Sequence, residues 1–192
     1  AAAWLSVRDP SAAVSLYSTA RQQLGDEMVA FELLPRIALD MVLTHIPGTR
    51  EPLADLSAWY VLLELAGARD QVVLDEALSD FLTRRLEDGL VQDGVVASNR
   101  AQRAALWSLR HAVSEAQKKA GASIKHDISV PVSQIPQFLA VADEQVKARV
   151  PGIRPVPFGH LGDGNLHYNL SQPATMEAQA FLDLWPQLNE VV

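Results

Sequence analysis

The stretch Phe158-Gly159-His160-Leu161-Gly162-Asp163-Gly164-Asn165-Leu166-His167-Tyr168-Asn169 reads as a β-hairpin. Asp-Gly is the strongest two-residue turn signal, because both loop positions of that turn take positive φ. With Asp163-Gly164 as the loop, Gly162 lies opposite Asn165, Leu161 opposite Leu166 and His160 opposite His167. Directly opposed residues hold their Cβ atoms about 4.5–5.5 Å apart, close enough for two imidazoles to share one metal ion. The strand period of two puts Asn165, His167 and Asn169 on that face and Leu166, Tyr168 and Leu170 on the other. A row of His and Asn is poor core and good pocket lining, and two neutral imidazoles suit Zn, Mn, Fe or Ni. A metal site needs further ligands, and Asp163 is already used by the turn. The same residues also make an ordinary hairpin whose histidines only hydrogen-bond, and a longer loop breaks the register.

Working outward, strands and helices alternate with no repeat or low-complexity tract. Strands are expected at residues 4–7, 28–34, 59–65, 95–98, 124–130, 153–161 and 165–170. Helices are expected at about 10–24 with Asp9 or Ser11 as cap, at 35–44, at 70–86, from about Asn99 or Ala101 to 119, from a cap at Ser133 or Gln134 to about 150, and from Pro173 onward. Hairpins mixed with helices predict an α+β domain: a largely antiparallel sheet with helices packed on one face, in ferredoxin-like repeats. The alternating strands fit one face left open or lining a site.

Composition narrows the function classes. A chain of 192 residues with 48% apolar content can bury a sizeable core and fits one domain. It contains no cysteine, which excludes disulfide scaffolds, thiol nucleophiles and Cys-ligated zinc. A net charge of −7 argues against a nucleic-acid partner. No apolar run reaches the roughly 18 residues that a spanning helix needs, and no leader pattern opens the chain. The expectation is a cytoplasmic protein, or one peripheral to a membrane. Because the chain opens Ala1-Ala2-Ala3-Trp4 without Met and stops inside an amphipathic pattern, it is expected to be a piece of a longer protein. There is no phosphate-binding Gly-rich loop and no G-x-S-x-G.

Two other segments carry candidate chemistry. In Ile124-Lys125-His126-Asp127-Ile128-Ser129-Val130-Pro131, alternation puts Lys125, Asp127 and Ser129 on one face. Lys125 there is a point charge for an anionic substrate, or half of a solvated Lys–Asp pair. In Leu106-Trp107-Ser108-Leu109-Arg110-His111-Ala112-Val113-Ser114, Arg110 and Ser114 are spaced i, i+4 and share a helix face. Arg110 can clamp a carboxylate with Ser114 adding a donor, or be an ordinary exposed arginine.

Taken in order, Leu106-Trp107-x-x-Arg110, Lys125-His126-Asp127-Ile128-Ser129-Val130-Pro131-Val132 and Gly159-His160-Leu161-Gly162-Asp163-Gly164-Asn165-Leu166-His167 resemble the C-terminal, substrate-side domain of FAD-linked 2-hydroxy-acid dehydrogenases. That group includes D-lactate dehydrogenase, glycolate oxidase and D-2-hydroxyglutarate dehydrogenase. The Lys-x-Asp-x-Ser-x-Pro strand and the Tyr168-Asn169 ending are most similar to the last. The resemblance implies that His160 and His167 bind a divalent metal, commonly zinc, near a flavin. It implies that Arg110, Ser114, Lys125 and Asn169 hold substrate carboxylates. The family's third metal ligand is a Glu in a Ser-Ala-Glu-His-Gly-type motif beyond this region, and its FAD-binding domain precedes it; neither lies in these 192 residues. Position 111 is His where relatives often have Glu, and position 114 is Ser where Thr is more usual.

The implied reaction is oxidation of a D-2-hydroxy acid, with the α-hydrogen passing as hydride to FAD and a divalent metal polarising the hydroxyl. The implied partners are the 2-hydroxy acid, the FAD-binding domain of the same polypeptide and an electron acceptor, with room for a homodimer. Two other readings stay open. One is a stand-alone small-anion-sensing or dimerisation module with ferredoxin-like packing. The other is a free-standing metal hydrolase, which needs more protein ligands than His160 and His167.

Overall fold

A computed structural model describes residues 1–192 and places eight strands in one sheet. They are β1 (Ala2–Val7), β2 (Met28–Pro35), β3 (Trp59–Leu65), β4 (Asp93–Val96), β5 (Ser123–Ile124), β6 (Asp127–Ser129), β7 (Arg154–His160) and β8 (Asn165–Ser171). The order is β4-β1-β3-β2-β7-β8-β5, with β6 also paired to β8, and every pair is antiparallel. The helices are α1 (Pro10–Leu24), α2 (Arg36–His45), α3 (Gln71–Glu87), α4 (Arg100–His111), α5 (Val113–Lys119), α6 (Ile135–Arg149), α7 (Ala178–Leu182) and α8 (Trp185–Asn189). The expected α+β class with an antiparallel sheet is therefore observed.

Local chemistry explains the element ends. Asp9 Oδ1 accepts the Ala12 N–H at 2.8 Å and caps α1, a bond that also holds the Asp9 carboxyl below its ordinary range. Gly25 closes α1 with φ +58°. The helix expected from Pro173 is instead a turn followed by α7 and α8, because Pro186 has no N–H for a continuous ladder and fits only the first turn of a new helix. The helix expected over 101–119 is interrupted at Ala112. The strand expected over 124–130 is split into β5 and β6, yet Ile124 pairs with Leu170 and Asp127 with His167 in one unbroken register. His126 fills the gap: its Nδ1 lies 3.0 Å from the Tyr168 carbonyl, and its own carbonyl accepts the Tyr168 N–H at 2.8 Å.

Helices on a single face is the expectation that needs correcting; the order β4-β1-β3-β2, with α1 and α3 on the same face, is compatible with a ferredoxin-like unit. Leu5, Val61, Leu63, Leu33, Leu166 and Tyr168 point to one face, where α1, α3 and α6 bury them. Trp4, Tyr60, Leu62, Leu34, Val156 and Phe158 point to the other, where α2, α4 and α5 form a second, smaller core. The central strands carry apolar side chains in both directions, so each direction has to be covered. The second cover stops at Phe158. Beyond it, the β7–β8–β6 end of that face is polar and open to solvent: His160, Asp127 and Ser129 are exposed, and Asn165 and His167 half-buried.

The hairpin between β7 and β8 also differs from its expected register. Its loop has four residues, Leu161 to Gly164, built as a single 3-10 turn. Gly164, at φ +73°, closes it rather than sharing a two-residue turn, and its N–H donates to the Leu161 carbonyl at 3.2 Å. His160 therefore pairs with Asn165, and His167 with Phe158. A Cβ on Gly164 would run into the carbonyl oxygen of Val130. Gly164→Ala is expected to cost at least about 1–3 kcal/mol from the left-handed backbone alone, with that backbone contact adding to it. Urea unfolding of the two proteins at equal m-value measures the loss.

Candidate functional site

The corrected register keeps both histidines on one face. Phe158 and His160 share a side of β7, and their partners His167 and Asn165 share the same side of β8. His160 and His167 are thus diagonal rather than opposed, at about 7–8 Å between backbones, still within reach of long side chains. Their neighbours across the other strand pairs are carboxylates. Glu32 of β2 lies opposite His160, and Asp127 of β6 lies opposite His167.

Each histidine turns the same ring atom to its carboxylate. His160 Nδ1 sits 2.6 Å from Glu32 Oε1, and His167 Nδ1 meets Asp127 Oδ1. Carboxylates accept only, so the Nδ1 atoms are the donors and each neutral ring keeps an Nε2 lone pair. Metal-ligating imidazoles take this arrangement, with one nitrogen tied to an acceptor and the other on the ion. The donor set therefore fits a divalent metal as far as it goes. It goes only to two ligands, for no three His, Asp or Glu side chains converge on one metal position.

Arg110 of α4 completes the cluster. Its Nε donates to Glu32 Oε2 at 2.6 Å, and its guanidinium carbon stands 4.7 Å from the centre of the Phe158 ring, a cation–π distance. Phe158 in turn packs against His167 at 5.0 Å between ring centres. Glu32 is 1% and Arg110 11% exposed, so this is a buried ion pair with His160 at its open side. Both terminal nitrogens of Arg110 are free of protein partners, and they are the pair that clamps a carboxylate.

The remaining expected residues are placed less tightly. The continuous β5–β6 register sets Lys125 across from Asn169 on the site face, and Lys125 is exposed. Asn169 is buried, its Nδ2 donating to Gln117 Oε1 at 2.9 Å while Gln117 Nε2 reaches Ser171 Oγ at 3.4 Å. Ser114 is exposed on α5, and no contact links it to the others. From the opposite face Tyr168 anchors β8 by donating to Asp143 at 2.8 Å. Burial, with the Asp143 charge second, pushes its phenol far above its ordinary value. Arg110, His160 and His167 are thus joined in one contact network, with Lys125 and Asn169 beside it and Ser114 apart.

Sequence reasoning missed Glu32 and Gln117. Glu32 is a lone carboxylate inside Phe31-Glu32-Leu33-Leu34, and a charge within an apolar strand is a signal that some other element supplies its partner. Asp127 was legible on the correct face, as a partner for Lys125; its neighbour across the strands is His167.

Comparison with known proteins bears on the chain as a whole. A family described as FAD linked oxidases, C-terminal domain, matches residues 1–192. The chain is 37% identical over 170 residues to an Arabidopsis thaliana protein named D-2-hydroxyglutarate dehydrogenase, mitochondrial, covering 88% of this chain and 30% of that one. It is 35% identical over 179 residues to the D-2-hydroxyglutarate dehydrogenase of Xanthomonas citri pv. viticola, covering 93% and 36%. It is 30% identical over 167 residues to a Schizosaccharomyces pombe protein named for D-lactate dehydrogenase, covering 81% and 31%. The chain spans about a third of the length of these relatives. Among solved structures, alkyldihydroxyacetonephosphate synthase shares the fold at TM-score 0.53 and 10% identity, over all of this chain and 40% of that one. No helix is long and apolar enough to cross a membrane. Matched from its first residue to its last, the chain belongs to the family of FAD linked oxidases, C-terminal domain.

Proposed function

We propose that residues 1–192 are the substrate- and metal-binding domain of an FAD-dependent D-2-hydroxy-acid dehydrogenase, with a dicarboxylate of the 2-hydroxyglutarate type as substrate. The observation that carries this reading is the pair of imidazoles, each with Nδ1 on a carboxylate and Nε2 free, next to an arginine whose terminal nitrogens are free. The names of the relatives support the substrate class. The flavin domain and the third metal ligand come from outside these residues.

The work of this chain is binding and orientation. Arg110, stiffened by Glu32 and Phe158, takes the carboxylate beside the reacting carbon through its two terminal nitrogens. Lys125, across the strand pair on the same face, takes the second carboxylate as a point charge. Asn169, held by Gln117, supplies a further polar contact on that face. His160 and His167 are the groups that would hold zinc or a similar ion. The chemistry supplied by the bound groups is acceptance of the α-hydrogen as hydride at the flavin and polarisation of the substrate hydroxyl at the metal. Held between two cations, the α-carbon has one orientation toward the flavin, which is where much of the barrier is removed.

The test is an anaerobic titration of the polypeptide that carries this domain with its flavin domain, adding D-2-hydroxyglutarate, D-malate and D-lactate separately. Bleaching of the flavin band by the dicarboxylates, most readily by D-2-hydroxyglutarate, is expected. A colourless protein, or a flavin that none of the three acids reduces, contradicts the dehydrogenase reading. Reduction by D-lactate alone contradicts the role given to Lys125.

A further inference from the structure

Glu32 makes an unusual set of contacts for a buried carboxylate. It sits in the middle of β2, opposite His160 on β7, and 78 residues from Arg110 on α4. Its two oxygens are divided: Oε2 accepts from Arg110 Nε and Oε1 from His160 Nδ1, each at 2.6 Å. A carboxylate that only neutralised Arg110 would take two guanidinium nitrogens in a fork. Glu32 takes the inner nitrogen and leaves the outer two. It also reaches the one histidine of the pair whose ring is mostly in solvent, with 56% of the side chain exposed. Nothing else in the chain holds that ring.

We propose that Glu32 is a positioning residue, which through one buried carboxylate fixes the Arg110 guanidinium and the His160 ring together, with the outer nitrogens of one and Nε2 of the other turned to the substrate. This rests on the function proposed above for the same site. The role requires a carboxylate for a simple reason. Arg110 Nε–H can only donate, and His160 has to donate from Nδ1 if Nε2 is to keep its lone pair. Only a group that accepts at both ends satisfies both neighbours. An amide cannot. Glutamine at position 32 gives its oxygen to the charged Arg110 and its NH2 to His160, which then accepts at Nδ1 and carries its proton on Nε2. That is the wrong tautomer for a metal ligand, and carboxylate-to-amide changes beside a working histidine act in this way.

The same helix contains an internal control. Glu64 of β3 is also buried, and it accepts from Trp107 Nε1 at 2.9 Å and pairs with Arg103. It fastens α4 to the sheet as Glu32 does, but touches neither Arg110 nor His160. With Glu64 in place, α4 keeps an attachment in a Glu32 variant, so the variant is expected to fold.

The experiment compares wild type, Glu32→Gln and Glu64→Gln in the polypeptide carrying the flavin domain. In the metal-free proteins, long-range 1H–15N NMR at pH 8 reads the tautomer of His160. Zinc titration gives Kd, and initial rates with D-2-hydroxyglutarate give KM and kcat. We expect the Nδ1–H tautomer in wild type and Glu64→Gln and the Nε2–H tautomer in Glu32→Gln. Zinc binding in Glu32→Gln should weaken about 10–100-fold, and KM should rise at least about tenfold as Arg110 loosens. Glu64→Gln should stay within about twofold of wild type in all three readouts, though its Tm falls. If Glu32→Gln lowers only Tm, as Glu64→Gln does, Glu32 merely neutralises charge and the proposal is wrong. If wild type takes up no zinc and oxidises no hydroxy acid, the functional reading fails, and the tautomer then decides for Glu32 by itself. A change from Nδ1–H to Nε2–H upholds the positioning role, and an unchanged tautomer overturns it.

Discussion

Replacing Arg110 with leucine is expected to cost about 3–5 kcal/mol of folding stability, because it strands a buried charge. Glu32 would keep only His160 as a partner, and it is 1% exposed, so water cannot replace the guanidinium. The cation–π contact with Phe158, at 4.7 Å, is lost in the same step. Leucine fills most of the volume, which isolates the electrostatic loss from a cavity effect. Arg110→Lys keeps the charge but not the fork, so much of the stability should return while carboxylate recognition stays impaired. Urea unfolding of the three proteins reads the first effect, and KM for D-2-hydroxyglutarate reads the second. A leucine variant within about 1 kcal/mol of wild type would mean that Glu32 is not the buried anion described here.

The second large effect is kinetic. His160→Ala and His167→Ala are each expected to slow flavin reduction about 10^3-fold, since polarisation of the hydroxyl is worth several kcal/mol and each 1.36 kcal/mol is tenfold. Stability should change little, because the two side chains are 56% and 38% exposed and neither fills a core position. That combination separates a ligand from a packing residue. Rapid mixing of each oxidised variant with D-2-hydroxyglutarate under anaerobic conditions measures the rate. Loss of rate in step with loss of Tm would point to a packing role instead.

Much of this was legible in the sequence, for reasons that lie in particular residues. Residues 4–7 and 59–65 read as strands by composition, inside or matching the observed Ala2–Val7 and Trp59–Leu65, and of Asp9 and Ser11, the two caps open to the first helix, Asp9 is the one used. Apart from Ser6 and Glu64 the same two strands are apolar throughout, which is how a strand buried on both faces is written. The one-sided arrangement of helices followed from attending to alternation in the outer strands. The register of the site hairpin rested on Asp163-Gly164, whereas the chain spends Leu161 and Gly162 on the turn as well. The face assignment survived that change, because the pairing of His160 moved by two residues, from His167 to Asn165, and an even shift keeps the two strands' faces matched. Asn165, His167 and Asn169 share a side in either register.

The carboxylates were harder. Whether Glu32 meets solvent or Arg110 depends on where α4 lies against the sheet, and that is decided by Leu106, Leu109 and Trp107 packing in one core with Trp4 and Leu62 and by the bond from Trp107 to Glu64. No local pattern around residue 32 contains that information. Asp127 was readable as a member of the site face, but its choice of His167 over Lys125 follows from the pairing of β6 with β8. Gln117 lies on the buried side of a short helix and reveals its role only through Asn169.

The most direct test of the account is metal removal from the flavin-bearing polypeptide, followed by anaerobic addition of D-2-hydroxyglutarate. The account predicts that the metal-free protein keeps its flavin colour on addition of the acid, and that zinc restores bleaching in wild type but not in His160→Ala or His167→Ala. Bleaching of the metal-free protein at the wild-type rate would contradict it.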